Sequence, residues 1–349
     1  MKVVILYEEL APYFIVSVGR FVTKYNAEVV LIRKAVNDVA PFNFDLTRGI
    51  QVVERETLQG EDLISFVREQ KPDAIFCGGW AYKPYMNVCL KFRASVPVVL
   101  GLDNWWMGTW KQRLATVVAK RFFRKRFSGC FVPGRRQEKF ARKLGFGPAQ
   151  IRTGAYSCDF NLYDGLFKKY RAIKEKHFPR KFIYVGRYVE EKGVSNLWNA
   201  FIRLVEETGT AWQLVCIGKG PVSPVEHPQI RHVGFVQPEN MESFIAESGV
   251  FILPSNFEPW GVAVHEFAAA GFPLLLSDKV GAAEIFLAEK ENGFSFGAGD
   301  EDALLHGMKQ FVKMTDADLS GFGVRSNQLA SQITNDSWAD NFHSLLSGS

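Results

Sequence analysis

Short apolar runs alternate with longer segments of helical periodicity in both halves of the chain. In the first half MKVVILY, AEVVLI, DAIFCGG, PVVLGL and GCFVPG read as strands. In the second half FIYVG, WQLVCIG, IRHVG, GVFILP and FPLLLS do the same. Neighbouring runs are separated by stretches long enough for a crossover helix, which predicts parallel strands rather than hairpins. Two such series predict an α/β chain with two Rossmann-like domains. The first is expected over residues 1–160 and the second over 175–334. A polar, basic stretch between Ala155 and Lys181 has little strand character and is the expected linker. A last helix is expected from about Asn335, with 335–349 joined to the first domain.

The segment FEPWGVAVHE, Phe257 to Glu266, carries the most chemistry. It follows the apolar run GVFILP and precedes small and apolar residues at helical spacing, closed by Gly271 and Pro273 as stop signals. Glu258 is thereby expected on a loop at the carboxyl end of a strand, where open α/β sheets bind ligands. Glu266 is expected one or two turns inside the following helix. The backbone N–H groups of Trp260 to Val262 would open that helix, a site suited to an electron-rich ligand.

These residues resemble the donor-site signature of the retaining glycosyltransferases of family 4. The resemblance extends through AAAGFPLLLSDKVGAAEI, KFIYVGRYVEEKGVSNLWNAF, WQLVCIGKGP and IRHVGFVQPENM, motifs that stand in family order over roughly residues 180–310. The first half matches in layout alone. The resemblance implies the GT-B fold, two Rossmann-like parallel-sheet domains facing across a cleft. It also implies a nucleotide diphosphate sugar as substrate, with no cofactor and no metal required. On this basis Gly186, Arg187 and Lys192 contact the donor diphosphate, where cations and backbone donors stabilise a charged leaving group. Glu266 contacts the ribose. Glu258 and the backbone of Pro259, Trp260, Gly261 and Val262 contact the donor sugar, and Val236 and Met241 pack near the base. Arg187, Lys192, Glu258 and Asp103 are the expected catalytic set.

The first half departs from the family. A glycine-rich turn commonly follows the first strand; here it reads Glu8-Glu9-Leu10-Ala11-Pro12. Where many relatives place a histidine after the run that reads PVVLGL here, this chain has Asp103-Asn104. Asp103 reads either as a group near the donor sugar or acceptor hydroxyl, or as a loop cap. Trp80, Trp105 and Trp106 read either as an acceptor platform or as core packing. Asp300-Glu301-Asp302 has the spacing of a metal motif but directly precedes ALLHGM, so it reads as a helix cap. His265 and Glu266 are adjacent on a helix and point apart, so they form no dyad.

Hydrophobic residues make up 47% and charged residues 23%, ordinary globular usage that excludes a disordered chain. The five cysteines are scattered, and three lie in strand-like runs, which predicts buried free thiols and a reducing compartment. Neither a signal peptide nor a membrane span is expected. Charge is strongly uneven. From Lys111 to Lys143 twelve Lys or Arg stand against the single acid Glu138, a local net charge of +11 in a chain of +5. Leu114, Val118, Phe122 and Phe123 make the first part an amphipathic basic helix. It is read as a contact with an anionic membrane surface, against nucleic acid, for which no recognition motif is present, or a solvated face.

The expected protein is a cytoplasmic enzyme, peripheral on the inner face of the membrane. It would move a sugar onto a lipid-linked glycan or a cell-surface polysaccharide precursor. A transferase for a small metabolite, a nucleotide-sugar epimerase, a non-catalytic nucleotide-sugar sensor and a basic nucleic-acid-binding protein are the alternatives.

Overall fold

The computed structural model describes residues 1–35, 46–58 and 61–347. Residues 36–45 and 59–60 of the expected first domain, residues 348–349 of its expected last segment and the side chains of Lys111, Leu114 and Val118 lie outside the described residues. The chain divides into two compact units, 1–157 with 335–349, and 158–334.

The first unit is built on a seven-stranded sheet: β1 (Lys2–Tyr7), β2 (Glu28–Arg33), β3 (Ile50–Glu54), β4 (Ala74–Gly78), β5 (Val98–Gly101), β6 (Gly129–Val132) and β7 (Ile151–Thr153). Their order is β3-β2-β1-β4-β5-β6-β7, and every pairing is parallel. The central strands are buried on both faces, which is why they read as unbroken apolar runs. The helix Asn335–Leu346 packs within this unit. Its Trp338 and Phe342 join Phe14, Phe76 and Phe131 in one core cluster, and Trp338 Nε1 donates to the Ala155 carbonyl at 2.8 Å.

The second unit holds β8 (Lys181–Val185), β9 (Gln213–Ile217), β10 (Ile230–Gly234), β11 (Val250–Leu253), β12 (Leu274–Ser277) and β13 (Gly293–Phe296). Their order is β10-β9-β8-β11-β12-β13, again all parallel. Strand order reverses between β1 and β4 in one sheet and between β8 and β11 in the other. Crevices for ligands open at such switch points, beyond the carboxyl ends of the strands.

The stretch taken as a linker is mostly the helix Phe160–Lys176, capped by Asp159, and it belongs to the second unit. It is polar because one face is solvated; Tyr163 and Leu166 are buried on the other. The five cysteines are free and buried.

Candidate functional site

The turns that follow β8 and β11 meet at the switch point of the second sheet. After β8, Gly186 N–H donates to the Ile217 carbonyl at 3.0 Å, and Tyr184 Oη donates to the Arg187 carbonyl at 2.9 Å. The Arg187 side chain is exposed and forms no ion pair among the described residues. The chain then turns through Glu190–Lys192 to Gly193, whose φ of +65° favours glycine. A Cβ at Gly193 would stand 2.4 Å from the Pro254 carbonyl oxygen, so only glycine lets this turn press against the end of β11. Asn256 laces the two loops together, its N–H donating to the Glu191 carbonyl at 2.8 Å and its Nδ2 to that of Glu190 at 2.9 Å.

This lacing sets Lys192 Nζ directly on Glu258 Oε2. Both side chains are largely buried, with exposures of 17% and 11%. The Glu258 backbone is held from both sides. Its N–H donates to the Lys279 carbonyl and its carbonyl accepts from Gly281 N–H, each at 3.0 Å. Buried Trp260 accepts at its carbonyl from Ala282 N–H at 2.9 Å. Gly261, at φ +93°, then caps the helix Val262–Ala269 with no side-chain cap, which leaves backbone donors of the first turn unsatisfied by the helix. A Cβ at Gly261 would press on Glu258 Cγ at 3.0 Å. The cap glycine and the glutamate are therefore in contact.

Glu266 lies within that helix and accepts a hydrogen bond from the Tyr163 hydroxyl. Part of the residue reaches solvent, but protein surrounds the carboxyl group. Burial, reinforced by nearby Asp159, pushes its pKa up to about 7 despite the Tyr163 bond. Tyr163 and Asp159 come from the helix Phe160–Lys176 and its cap, which no local pattern connects with Glu266. Met241 is buried and Val236 half-buried, both on the loop after β10.

His265 points away from Glu266. Its Nδ1 accepts from Cys158 N–H at 3.1 Å, which puts the ring proton on Nε2, 3.0 Å from the Ala330 carbonyl. Burial lowers its pKa to about 4, so the ring is neutral. It ties the start of the second unit to the end of the helix Asp316–Ala330. Asp300 is a helix cap, its carboxylate accepting from Ala303 N–H at 2.9 Å, while Glu301 and Asp302 both pair with Arg203. No group of three or more His, Cys, Asp or Glu among the described residues stands ready to hold a metal ion.

In the first unit Asp103 follows β5 and lines a cavity of ≈ 60 Å³ with Tyr7, Gly78, Gly101 and Tyr156, at the carboxyl ends of β1, β4 and β5. Tyr156 Oη donates to Asp103 Oδ2 at 3.3 Å. Trp80, Trp105 and Trp106 do not line this cavity. Trp80 packs on Phe123 and Phe140, Trp105 is buried beneath the Arg136 guanidinium, and Trp106 lies under the Lys143 ammonium. The expected amphipathic segment is a helix, Trp110–Arg124, with Phe123 buried. No helix among the described residues is long and apolar enough to cross a membrane.

Residues 167–320 match the family model described as glycosyl transferases group 1. The chain is 26% identical over 165 residues to an uncharacterized glycosyltransferase of Methanocaldococcus jannaschii, covering 44% of this chain and 40% of that one. It is 29% identical over 113 residues to the 2-deoxystreptamine N-acetyl-D-glucosaminyltransferase of Niallia circulans, covering 30% and 29%. The matched part thus spans less than half the length of these relatives. The crystal structure of Anabaena HepE in complex with UDP-glucose superposes with a TM-score of 0.71 at 16% identity, covering 100% of both chains. The two-sheet α/β architecture is that of the GT-B fold class, and residues 167–320, which hold Gly186, Arg187, Lys192, Glu258 and Glu266, match the glycosyl transferases group 1 family.

Proposed function

We propose that this protein is a retaining glycosyltransferase of family 4 that takes a nucleotide diphosphate sugar as donor and requires no metal. The observation that carries this reading is the convergence of Lys192 and Glu258 at the switch point of the second sheet, with Arg187 unpaired beside the same turn. Arg187 and Lys192 bind the donor diphosphate and stabilise the charge that grows on the leaving phosphate. The uncapped N–H groups at the start of the helix Val262–Ala269 add to the same field. Glu258 accepts hydrogen bonds from donor-sugar hydroxyls, and Glu266 from the ribose diol. A solved relative of the same fold holds UDP-glucose, which supports a nucleotide sugar as the donor class.

The acceptor hydroxyl attacks the anomeric carbon from the face that the diphosphate leaves. The new C–O bond forms as the bond to the phosphate oxygen breaks, and the hydroxyl proton passes to that departing oxygen. No separate protein base is needed. Asp103, which lines the small cavity at the carboxyl ends of β1, β4 and β5, stands on the acceptor side, whereas Trp80, Trp105 and Trp106 pack away from that cavity. The acceptor is a lipid-linked glycan or polysaccharide precursor, and the basic run Lys111–Lys143 holds the enzyme on the anionic cytoplasmic face of the membrane.

Incubation with radiolabelled nucleotide sugars tests this reading. Label should move to a lipid-extractable product only when lipid acceptor is supplied, with the anomeric configuration of the donor kept. Donor binding without transfer to any lipid or soluble acceptor would instead mark a sensor.

A further inference from the structure

The basic residues of the first unit are not spread evenly over a surface. Arg93, Lys120, Arg124 and Arg142 line one open cavity of ≈ 610 Å³, floored by buried Phe127 and closed by Gly145–Gly147. They come from three places: the end of the helix Lys83–Phe92, one face of the helix Trp110–Arg124, and the last turn of the helix Arg135–Lys143. Lys120 and Arg124 are one turn apart and so project together. A second groove of ≈ 670 Å³ shares Lys120 and adds Arg113, Lys143 and Trp106. No acidic residue among the described residues lines either opening.

Arg142 pairs with Glu138, whereas Arg93, Lys120 and Arg124 pair with no acid among the described residues. Arg93 Nε is buried and has no acceptor. Gathering like charges around one opening costs Coulomb energy, which an anion inside it reverses. Gly145 sits at φ +103° against the Lys120 stem, and an added Cβ there would stand 3.1 Å from Lys120 Cγ. The loop amides are not available as donors. Gly145 N–H bonds the Arg142 carbonyl, Phe146 N–H that of Ala141, and Gly147 N–H the Gln150 side chain. Recognition therefore falls to the guanidinium and ammonium groups, which suit a compact multiply charged oxyanion.

We infer that this cavity is a binding site for a phosphomonoester or diphosphate group, held by Arg93, Lys120, Arg124 and Arg142. It is a discrete pocket and not a diffuse positive face. Its volume lies within the roughly 300–1,000 Å³ usual for small-ligand sites. The inference rests on the proposed membrane reading only for the source of the phosphate, which would be a lipid headgroup.

Calorimetric titration of the full chain with inorganic pyrophosphate tests the site. Lys120→Gln/Arg124→Gln, both on exposed side chains, should weaken one class of pyrophosphate sites at least about tenfold, the loss expected for charged hydrogen bonds. Arg187→Ala should leave that class untouched, so a failed donor-site reading is seen separately. Vesicles then identify the source. At matched surface charge, those carrying phosphatidic acid should pellet the protein better than those carrying phosphatidylglycerol, and the double variant should abolish the difference. Pyrophosphate binding that depends on Lys120 and Arg124 without any vesicle preference supports the site and assigns it a soluble ligand. Pyrophosphate binding unchanged by the double variant overturns the inference, as does displacement of pyrophosphate by duplex DNA at equal phosphate.

Discussion

Lys192 Nζ donates directly to Glu258 Oε2, joining residues 66 positions apart at the adjoining ends of two parallel strands. With both groups largely buried, each is the other's counter-charge. Breaking such a pair from one side leaves an uncompensated charge. Lys192→Met should cost about 3 kcal/mol, the lower end for buried pairs. Lys192→Met/Glu258→Gln should recover much of that loss. Denaturant titration of the three proteins checks it: a double variant no more stable than the single one would mean that the pair is not coupled.

The same two residues should separate in kinetics. Glu258→Gln should lower turnover while leaving affinity for the free nucleoside diphosphate near its starting value. Loss of a charged acceptor costs roughly 1.5–3 kcal/mol. Parallel measurement of kcat and of calorimetric Kd decides this. Equal losses in both would move Glu258 from the sugar to the nucleotide.

Glu266 should make nucleotide binding depend on pH near neutrality. Its carboxyl pKa is raised to about 7 by burial, and the ionised form is the one that accepts from a ribose diol. Affinity should therefore rise from pH 6 to pH 8 in the native protein and stay flat in Glu266→Gln. Stability runs the other way. The folded chain holds a proton that the unfolded chain releases from about 4.5 upward, so this group's contribution falls as pH rises to about 7. Glu266→Gln should then be the more stable protein at pH 8, with the gap closing toward pH 5; a constant gap in melting temperature would contradict the raised pKa.

His265 should act with the opposite slope. Its pKa is lowered from 6.5 to about 4, so the stability it gives is complete above 6.5 and is lost as pH falls from there toward 4. His265→Phe keeps a ring to stack on Phe286 but strands Cys158 N–H, while the Ala330 carbonyl keeps its bond from Ile333 N–H. A loss of roughly 1–3 kcal/mol at pH 7 is expected for one stranded donor, together with a shallower acid limb in melting temperature. An unchanged acid limb would place the pH dependence elsewhere.

Removing the unpaired cation should test the charge balance of the reaction. Arg187→Ala should cut turnover by about 10–100-fold with little change in melting temperature, because the side chain is exposed and supports no other group. Transfer should persist in excess chelator. Activity lost in chelator and restored by Mn²⁺ would give the diphosphate a metal partner and end the two-cation account.

The sequence by itself determined the central strands, the two-sheet class and the positions of Glu258 and Glu266. Strands buried on both faces must be continuous apolar runs, and the two glutamates stand at fixed offsets from one of them. It did not reveal β3, β7 or β13. All three are sheet edges, where a strand is short or carries exposed positions that blunt the apolar signal. The helix Phe160–Lys176 was hidden for the same reason, since its solvated face dominates its composition. Only the tertiary structure decided the pairing of Lys192 with Glu258, the shell of Tyr163 and Asp159 around Glu266, and the convergence of Arg93 with Lys120 and Arg124. A parallel sheet sets the ends of strands side by side whatever their separation in the chain, so its sites are assembled from loops that no local pattern connects.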